Sequence, residues 1–267
     1  MRKNLLSVLA IMALPTLTVA EDYKDMARME ILPGWRTASG DHVAGIKITL
    51  APGWITYWRA PGEAGIPPHF RFASDSPITS ITPHWPVPDV FDDAGLMSIG
   101  YHDSVIFPLT ISAAQAAGDM AVSGELTIGV CEEICIPVTF TFDTLLPEVG
   151  ARDASIVAAM DDEPMSADAA NVGSVTCAIE PISDGLRMTS HINVAQVSGS
   201  EFVVIEPSDP QIWVSQAEVS RVGDTLSATV DMVHPSGQPF AFDRSGVRIT
   251  VLGGNGRAID LRGCTAD

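Results

Sequence analysis

Apolar residues in this chain recur at every second position, in one short run after another, and Gly/Pro turns separate the runs. Residues 43–50 alternate with Ile46, Ile48 and Leu50 on one side, and residues 104–112, 120–130 and 136–145 repeat the pattern. Pro52-Gly53, Pro61-Gly62, Pro67-Pro68 and Gly118-Asp119 supply turns between them. Successive strand side chains point to opposite faces, so each run presents one apolar face that needs a second layer to cover it. Many short strands between such turns predict an all-β fold built as stacked sheets.

The texture changes at residues 151–172, which are rich in Ala, Asp and Met and do not alternate. Residues 151–160 have the composition of a short helix, and Asp161-Asp162-Glu163-Pro164 would end it. Alternation returns in runs at 175–179, 186–194, 201–206, 212–219, 225–232 and 247–252. The expected organisation is therefore a β-sandwich over residues 21–148, a linker over 149–172 and a second β-sandwich over 173–267. Residues 1–20 read as an export signal: Arg2 and Lys3, an apolar stretch at 5–14, Pro15, then Thr18-Val19-Ala20 with cleavage near Ala20. That stretch is too short for a membrane span, and no other run reaches the roughly 18 apolar residues a span needs. No Cys stands at the cleavage point, so a lipid anchor is not expected, and the mature chain is expected outside the cytoplasm and soluble.

A formal net charge of −18 argues against nucleic acid and against anionic lipid surfaces as partners. It accommodates a partner with a basic face and equally serves solubility. The hydrophobic fraction of 46% suffices for real cores.

An exported chain is permitted disulfides. Cys131, Cys135, Cys177 and Cys264 allow three connectivities, and local spacing favours Cys131 with Cys135, leaving Cys177 with Cys264. Glu125, Thr127, Gly129 and Cys131 share one parity, against Leu126, Ile128 and Val130 on the other. After Glu132-Glu133-Ile134, Cys135, Pro137, Thr139 and Thr141 oppose the apolar set Val138, Phe140 and Phe142. Both cysteines fall on the polar parity, roughly opposite each other if the strands form a hairpin. The expectation is a displayed pair closing a tiny loop, which is a candidate for exchange. Cys177 and Cys264 sit near the two ends of the second sandwich, where a bridge closing a long loop contributes roughly 3–5 kcal/mol in the chain-entropy model. They read as a structural disulfide, with a second redox pair as the alternative.

Several local patterns occur in a distinctive order: PGWITYWRAPGEAGIPP at 52–68, Trp85-Pro86-Val87-Pro88, Gly100-Tyr101, Val105-Ile106-Phe107-Pro108-Leu109, and the segment from Cys131 to Pro137. Together, over roughly residues 30–147, they resemble the periplasmic N-terminal domain of the DsbD family of thiol:disulfide interchange proteins and the related copper-tolerance Scs group. The resemblance implies an immunoglobulin-like β-sandwich with one redox-active pair, here Cys131 and Cys135, and by extension two such sandwiches joined by the linker. It implies electron transfer from a membrane-embedded or thioredoxin-like donor to periplasmic oxidoreductases through mixed disulfides, with no cofactor. It also implies a cap that shields the pair, matching residues 89–99 here, with Phe91 as the shielding aromatic and Asp92 beside it. Tyr57, Trp58 and Tyr101 match aromatic positions of the pattern and, by that match, are expected with Phe91 and Asp92 to shield the pair. Cytochrome c biogenesis and copper tolerance are the settings the resemblance suggests. Two departures stand out. Only three residues separate the cysteines, fewer than in several family members. The sequence also carries no eight-helix membrane region and no Cys-x-x-Cys thioredoxin-like domain, so the donor is expected on a separate chain.

Exchange begins when a thiolate attacks an accessible disulfide sulfur. Glu132 and Glu133 are expected to favour the neutral thiol, which suits a domain whose partner supplies the attacking cysteine. The sequence does not choose between Cys131 and Cys135 as the residue that forms the mixed disulfide. Pro137 has no N–H to offer and would limit edge pairing near the site. Two other readings compete. Cys131, Cys135 and one of His69, His84 or His102 could bind copper or zinc, although the histidines lack ligand spacing. Alternatively both disulfides are inert and the chain is a structural or protein-binding module. Hydrolytic chemistry has no Gly-x-Ser-x-Gly elbow to support it.

Overall fold

The computed structural model describes residues 25–63, 65–73, 78–93, 96–114, 118–237 and 240–267, with backbone alone at residues 92, 93 and 96. The export signal read at residues 1–20 lies outside them. Ten strands form the first half: β1 (Ala27–Arg36), β2 (His42–Leu50), β3 (Ile55–Gly62), β4 (His69–Phe72), β5 (Ile78–Pro83), β6 (Asp89–Asp93), β7 (Leu96–His102), β8 (Ser104–Ala113), β9 (Met120–Cys131) and β10 (Cys135–Leu146). They build one sheet in the order β1-β2-β8-β5 and a second in the order β10-β9-β3-β7-β6, with β4 also on β9. All pairings within them are antiparallel.

The alternating residues close this sandwich as the period-2 pattern requires. Ile46 and Ile48 of β2 and Phe107 and Ile111 of β8 meet Leu126, Ile128 and Val130 of β9, all at most 1% exposed. Phe107 is the hub of an aromatic cluster, with ring centroids 5.3 Å from Trp85, 5.7 Å from Tyr101 and 6.0 Å from Phe70, all edge-on. Edge-to-face pairs of this kind contribute about 0.5–1.5 kcal/mol each beyond their burial. The Trp-Pro-Val-Pro segment thus owes its place to Phe107, and Tyr101 donates a 2.8 Å hydrogen bond to the Pro86 carbonyl.

The linker helix α1 (Ala154–Asp161) is capped by Asp153, whose carboxylate accepts from the Ser155 and Ile156 N–H groups. It lies against the first sandwich. Ile156 is fully buried, in space that Gly45 leaves open between it and Ile106. His84 joins Glu163 at 3.1 Å, and Val87 N–H donates to the Asp162 carbonyl at 2.8 Å. Among the described residues no helix is long and apolar enough to cross a membrane.

The second half contains β11 (Met165–Ser166), β12 (Val175–Pro181), β13 (Leu186–Asn193), β14 (Glu201–Glu206), β15 (Trp213–Val214), β16 (Glu218–Val222), β17 (Thr225–Val233), β18 (Arg248–Gly253), β19 (Ala258–Arg262) and β20 (Thr265–Ala266). One sheet runs β11-β19-β18-β14, the other β15-β17-β13-β12-β20 with β16 on β17. The chain is thus almost all β, two sandwiches joined by a segment with one short helix. Val203, Ile205, Ile249 and Val251 face the second core, while Phe202, Val204, Leu252 and Ala258 on the opposite parity pack against the first. Cys177 and Cys264 are bridged, with Cα atoms 5.8 Å apart, across a separation of 87 residues. Removing that bridge in a Cys177→Ala/Cys264→Ala variant should lower unfolding stability by about 4 kcal/mol, read by guanidinium denaturation, because it frees a long loop in the unfolded chain.

Candidate functional site

The site is set by how β3 lies on β9. Ile55 stands opposite Cys131 and Thr56 opposite Val130. Thr56 is buried, and its hydroxyl donates to the Gly129 carbonyl at 2.8 Å, fixing that register. Opposed residues share a face, so Cys135, Cys131, Ile55 and His102 form one row across β10, β9, β3 and β7. Tyr57 follows Ile55 two residues on, hence on the same face. Its O–H donates to Cys131 Sγ at 2.8 Å and lies 3.1 Å from Cys135 Sγ. Burial raises the Tyr57 pKa above its ordinary value, so the phenol keeps its proton and remains a donor through the neutral range.

Glycine makes room for this ring. A Cβ on Gly129 would come 3.0 Å from the Tyr57 ring and 2.7 Å from Ile66, and one on Gly65 would come within 2.6 Å of the same ring. The ring is thus held between bare β9 backbone and the turn carrying Gly65 and Ile66, and Tyr57 is 2% exposed.

Cys131 and Cys135 are joined, with Cα atoms 4.2 Å apart. They are not equally displayed, which corrects the expectation from parity. Cys131 is only 3% exposed, whereas Cys135 is exposed. The reason lies in the neighbours: β9 is an inner strand flanked by β3 and covered by Tyr57, while β10 is the outermost strand of its sheet. Between the cysteines, Glu132, Glu133 and Ile134 all face solvent, Ile134 at 73%.

The other aromatic residues expected to shield the pair divide between the two faces. Trp58 and Tyr101 lie in the sandwich core, Trp58 fully buried. Both are a correction to the shielding expectation, since their strand parity is opposite to that of Tyr57 and turns them away from the sulfurs. Phe91 lies on the pair's face by register, half-buried, with its ring 6.5 Å from that of His102 and edge-on to it. His102 in turn lies 3.2 Å from Asp89, so the β6–β7 hairpin is stitched two strands away from Cys131. Of Asp92, only the backbone pairing with Met97 is described. Local patterning missed Gly129, Gly65 and Ile66; the turn-rich residues 61–68 were the available signal, but nothing local said which strand they would cover.

Among the described residues, no group of three or more His, Cys, Asp or Glu side chains converges as a metal site. His84 is held by Glu163 and Thr110, His102 by Asp89 and Asp103, and His69 sits on β4 opposite Thr127.

Residues 28–147 match the family model described as Thiol:disulfide interchange protein DsbD, N-terminal. The resemblance read from the motifs is therefore a property of the first sandwich. The crystal structure of the N-terminal periplasmic domain of ScsB from Proteus mirabilis is similar in fold, with a TM-score of 0.67 at 24% identity, covering 90% of this chain and 94% of that one. That share is too large for the first sandwich alone, so the common fold extends into the second. None of the curated proteins compared matches the chain.

Gly129→Ala should lose about 1–3 kcal/mol from overpacking against Tyr57 and Ile66. It should also speed reduction of Cys131–Cys135 by dithiothreitol in a stopped alkylation time course. Burial holds the Tyr101 phenol well above its ordinary value of 10.0. Its contribution to stability is full below the unfolded pKa and is lost as pH rises above about 10, where the unfolded phenol releases its proton first. Urea melts between neutral and alkaline pH should show that decline, and Tyr101→Phe should flatten it while losing about 1 kcal/mol at neutral pH with the bond to Pro86.

Proposed function

We propose that the first sandwich is a periplasmic thiol–disulfide interchange module. In this reading it passes reducing equivalents from a membrane-embedded or thioredoxin-like donor on a separate chain to periplasmic oxidoreductases, through Cys131 and Cys135. The observation that carries the reading is the asymmetry of the pair: one exposed cysteine, one buried cysteine, and a single phenol touching both sulfurs. An inert bridge needs neither the exposure of one cysteine nor a hydrogen-bond donor against the sulfurs.

A partner thiolate attacks Sγ of Cys135, the more exposed residue of the pair, forming the partner–Cys135 disulfide and breaking the Cys131–Cys135 bond. The electron pair leaves on Cys131 Sγ, where the Tyr57 O–H, already 2.8 Å away, stabilises the thiolate until it takes a proton from solvent. The partner's second thiol then attacks its own bridged sulfur and releases Cys135 as a thiolate. The partner ends oxidised and this chain reduced, by two electrons. Running the same steps in reverse with an oxidised acceptor regenerates the Cys131–Cys135 bond. Exposed Ile134, with Glu132 and Glu133 beside it, gives the docking surface an apolar centre with an acidic rim, suited to a partner with a basic edge.

Equilibration of the purified protein in graded thiol/disulfide buffers, with alkylation and mass spectrometry of each cysteine, tests the reading. Structural bridges of exported proteins lie below about −300 mV, so Cys131–Cys135 should reduce well before Cys177–Cys264. If both resist together, the chain is a structural module and the interchange reading fails. The assignment of roles has its own check. Cys131→Ala should accumulate a mixed disulfide with a thioredoxin-fold oxidoreductase on non-reducing gels, whereas Cys135→Ala, left with the buried sulfur, should accumulate little.

A further inference from the structure

Tyr57, Trp58 and Arg59 are consecutive on β3, and each meets a different part of the molecule. Tyr57 touches both sulfurs, Trp58 is fully buried in the first core, and Arg59 reaches across to the second sandwich. Its guanidinium lies 3.6 Å from the centre of the Trp58 ring. Its Nε and Nη2 donate to the Glu206 carboxylate at 3.0–3.2 Å, and Nη2 also donates to the Thr250 hydroxyl at 3.0 Å. Glu206 and Thr250 belong to β14 and β18 of the second sandwich, and Thr250 is fully buried. The Arg59 side chain is only 9% exposed, and burial works against its charge while Glu206 offsets that.

Such a contact is not a typical surface ion pair. A fork-shaped bidentate bond, a second acceptor and a ring beneath the guanidinium hold one geometry, and little solvent screens them. Phe202 and Val204 of β14 and Leu252 of β18 pack beside it against the first core. The second sandwich therefore grips β3 two residues from the phenol that contacts the redox pair. After Thr56, β3 no longer pairs with β9, and its pairing with β7 is irregular between Tyr57 and Gly62. That stretch has the least backbone support of the strand, so an external anchor at Arg59 governs where it lies.

We propose that Arg59 is a positioning residue through which the second sandwich holds Tyr57 on the sulfurs and so sets the redox equilibrium of Cys131–Cys135. The inference rests on the interchange reading above and gives the second sandwich a part in it. The direction follows from the chemistry of the hydrogen bond. A thiolate is a far stronger acceptor than a disulfide sulfur, so the Tyr57 O–H favours the reduced pair over the oxidised one. Loosening β3 weakens that bond, raises the thiol pKa of Cys131 and shifts the pair toward the disulfide.

The test uses the full chain with Glu206→Gln, Arg59→Met and Arg59→Lys, each alone and combined with Tyr57→Phe. Redox equilibrium is read cysteine by cysteine in thiol/disulfide buffers, with Cys177–Cys264 in the same molecules as the internal reference. Glu206→Gln and Arg59→Met should shift the Cys131–Cys135 equilibrium about tenfold toward the disulfide, which is about 30 mV for a two-electron couple. Arg59→Lys, which keeps the charge but not the fork, should fall between them and the unaltered protein. Cys177–Cys264 should not move, and in the Tyr57→Phe background the Arg59 and Glu206 variants should add nothing, because they act through the same phenol. If Arg59→Met fails to fold, the conservative Glu206→Gln decides. An unchanged equilibrium in Glu206→Gln, a shift that persists without the Tyr57 hydroxyl, or an equal shift of Cys177–Cys264 would each overturn the positioning role. Failure of the interchange reading is separate: it appears in the unaltered protein, as a Cys131–Cys135 bond that resists reduction as strongly as Cys177–Cys264.

Discussion

Two residue pairs, Ile55 with Cys131 and Thr56 with Val130, decide what reaches the sulfurs. Side chains alternate with a period of two, so a slip of one residue between β3 and β9 would turn Tyr57 into the core and Trp58 out over the disulfide. The Thr56 hydroxyl on the Gly129 carbonyl guards against this, because in the slipped register a buried hydroxyl and a buried carbonyl would lose each other. Trp58 guards it from the other side, since its full burial is possible on one parity alone. The site is therefore a product of core packing: the residues that fill the interior fix the orientation of those outside it.

The alternating runs were plain in the sequence because nearly every second residue of the strands they form is apolar and packed into the core. Residues 43–50, 104–112, 120–130 and 136–145 became β2, β8, β9 and β10 with boundaries moved by a residue or two. β1 was not among the runs read from the sequence, and its pairing is irregular between Leu32 and Trp35, around Pro33-Gly34. Gly34 adopts a positive φ there, and a Cβ would strike the Val43 carbonyl oxygen at 1.7 Å. In the second half, residues 212–219 read as one run but form two short strands, β15 and β16.

The site itself was legible in part. Cysteine spacing and the order of motifs pointed to the hairpin, but exposure is a property of neighbours and not of parity. Parity put Cys131 and Cys135 on one polar face; strand order made β9 an inner strand and β10 an outer one, and this separated their exposures. Tyr57, Trp58 and Tyr101 looked alike as aromatic positions, and only the sheet register divides one from the other two. Nothing local could show that Arg59 would find Glu206, 147 residues away.

The two disulfides close loops of very different size, spanning 4 and 87 residues. Loop closure becomes entropically harder as the loop lengthens, and nearby segments of a chain meet on a submicrosecond scale. In a chain that starts with four free thiols, Cys135 therefore meets Cys131 far more often than either meets Cys177 or Cys264. The small ring withdraws two thiols early, which leaves the distant pair a single partner choice where three connectivities were open at the start. A hairpin proposed to trade electrons in the finished protein would thus have a second use during folding, in leaving the other bridge correctly matched.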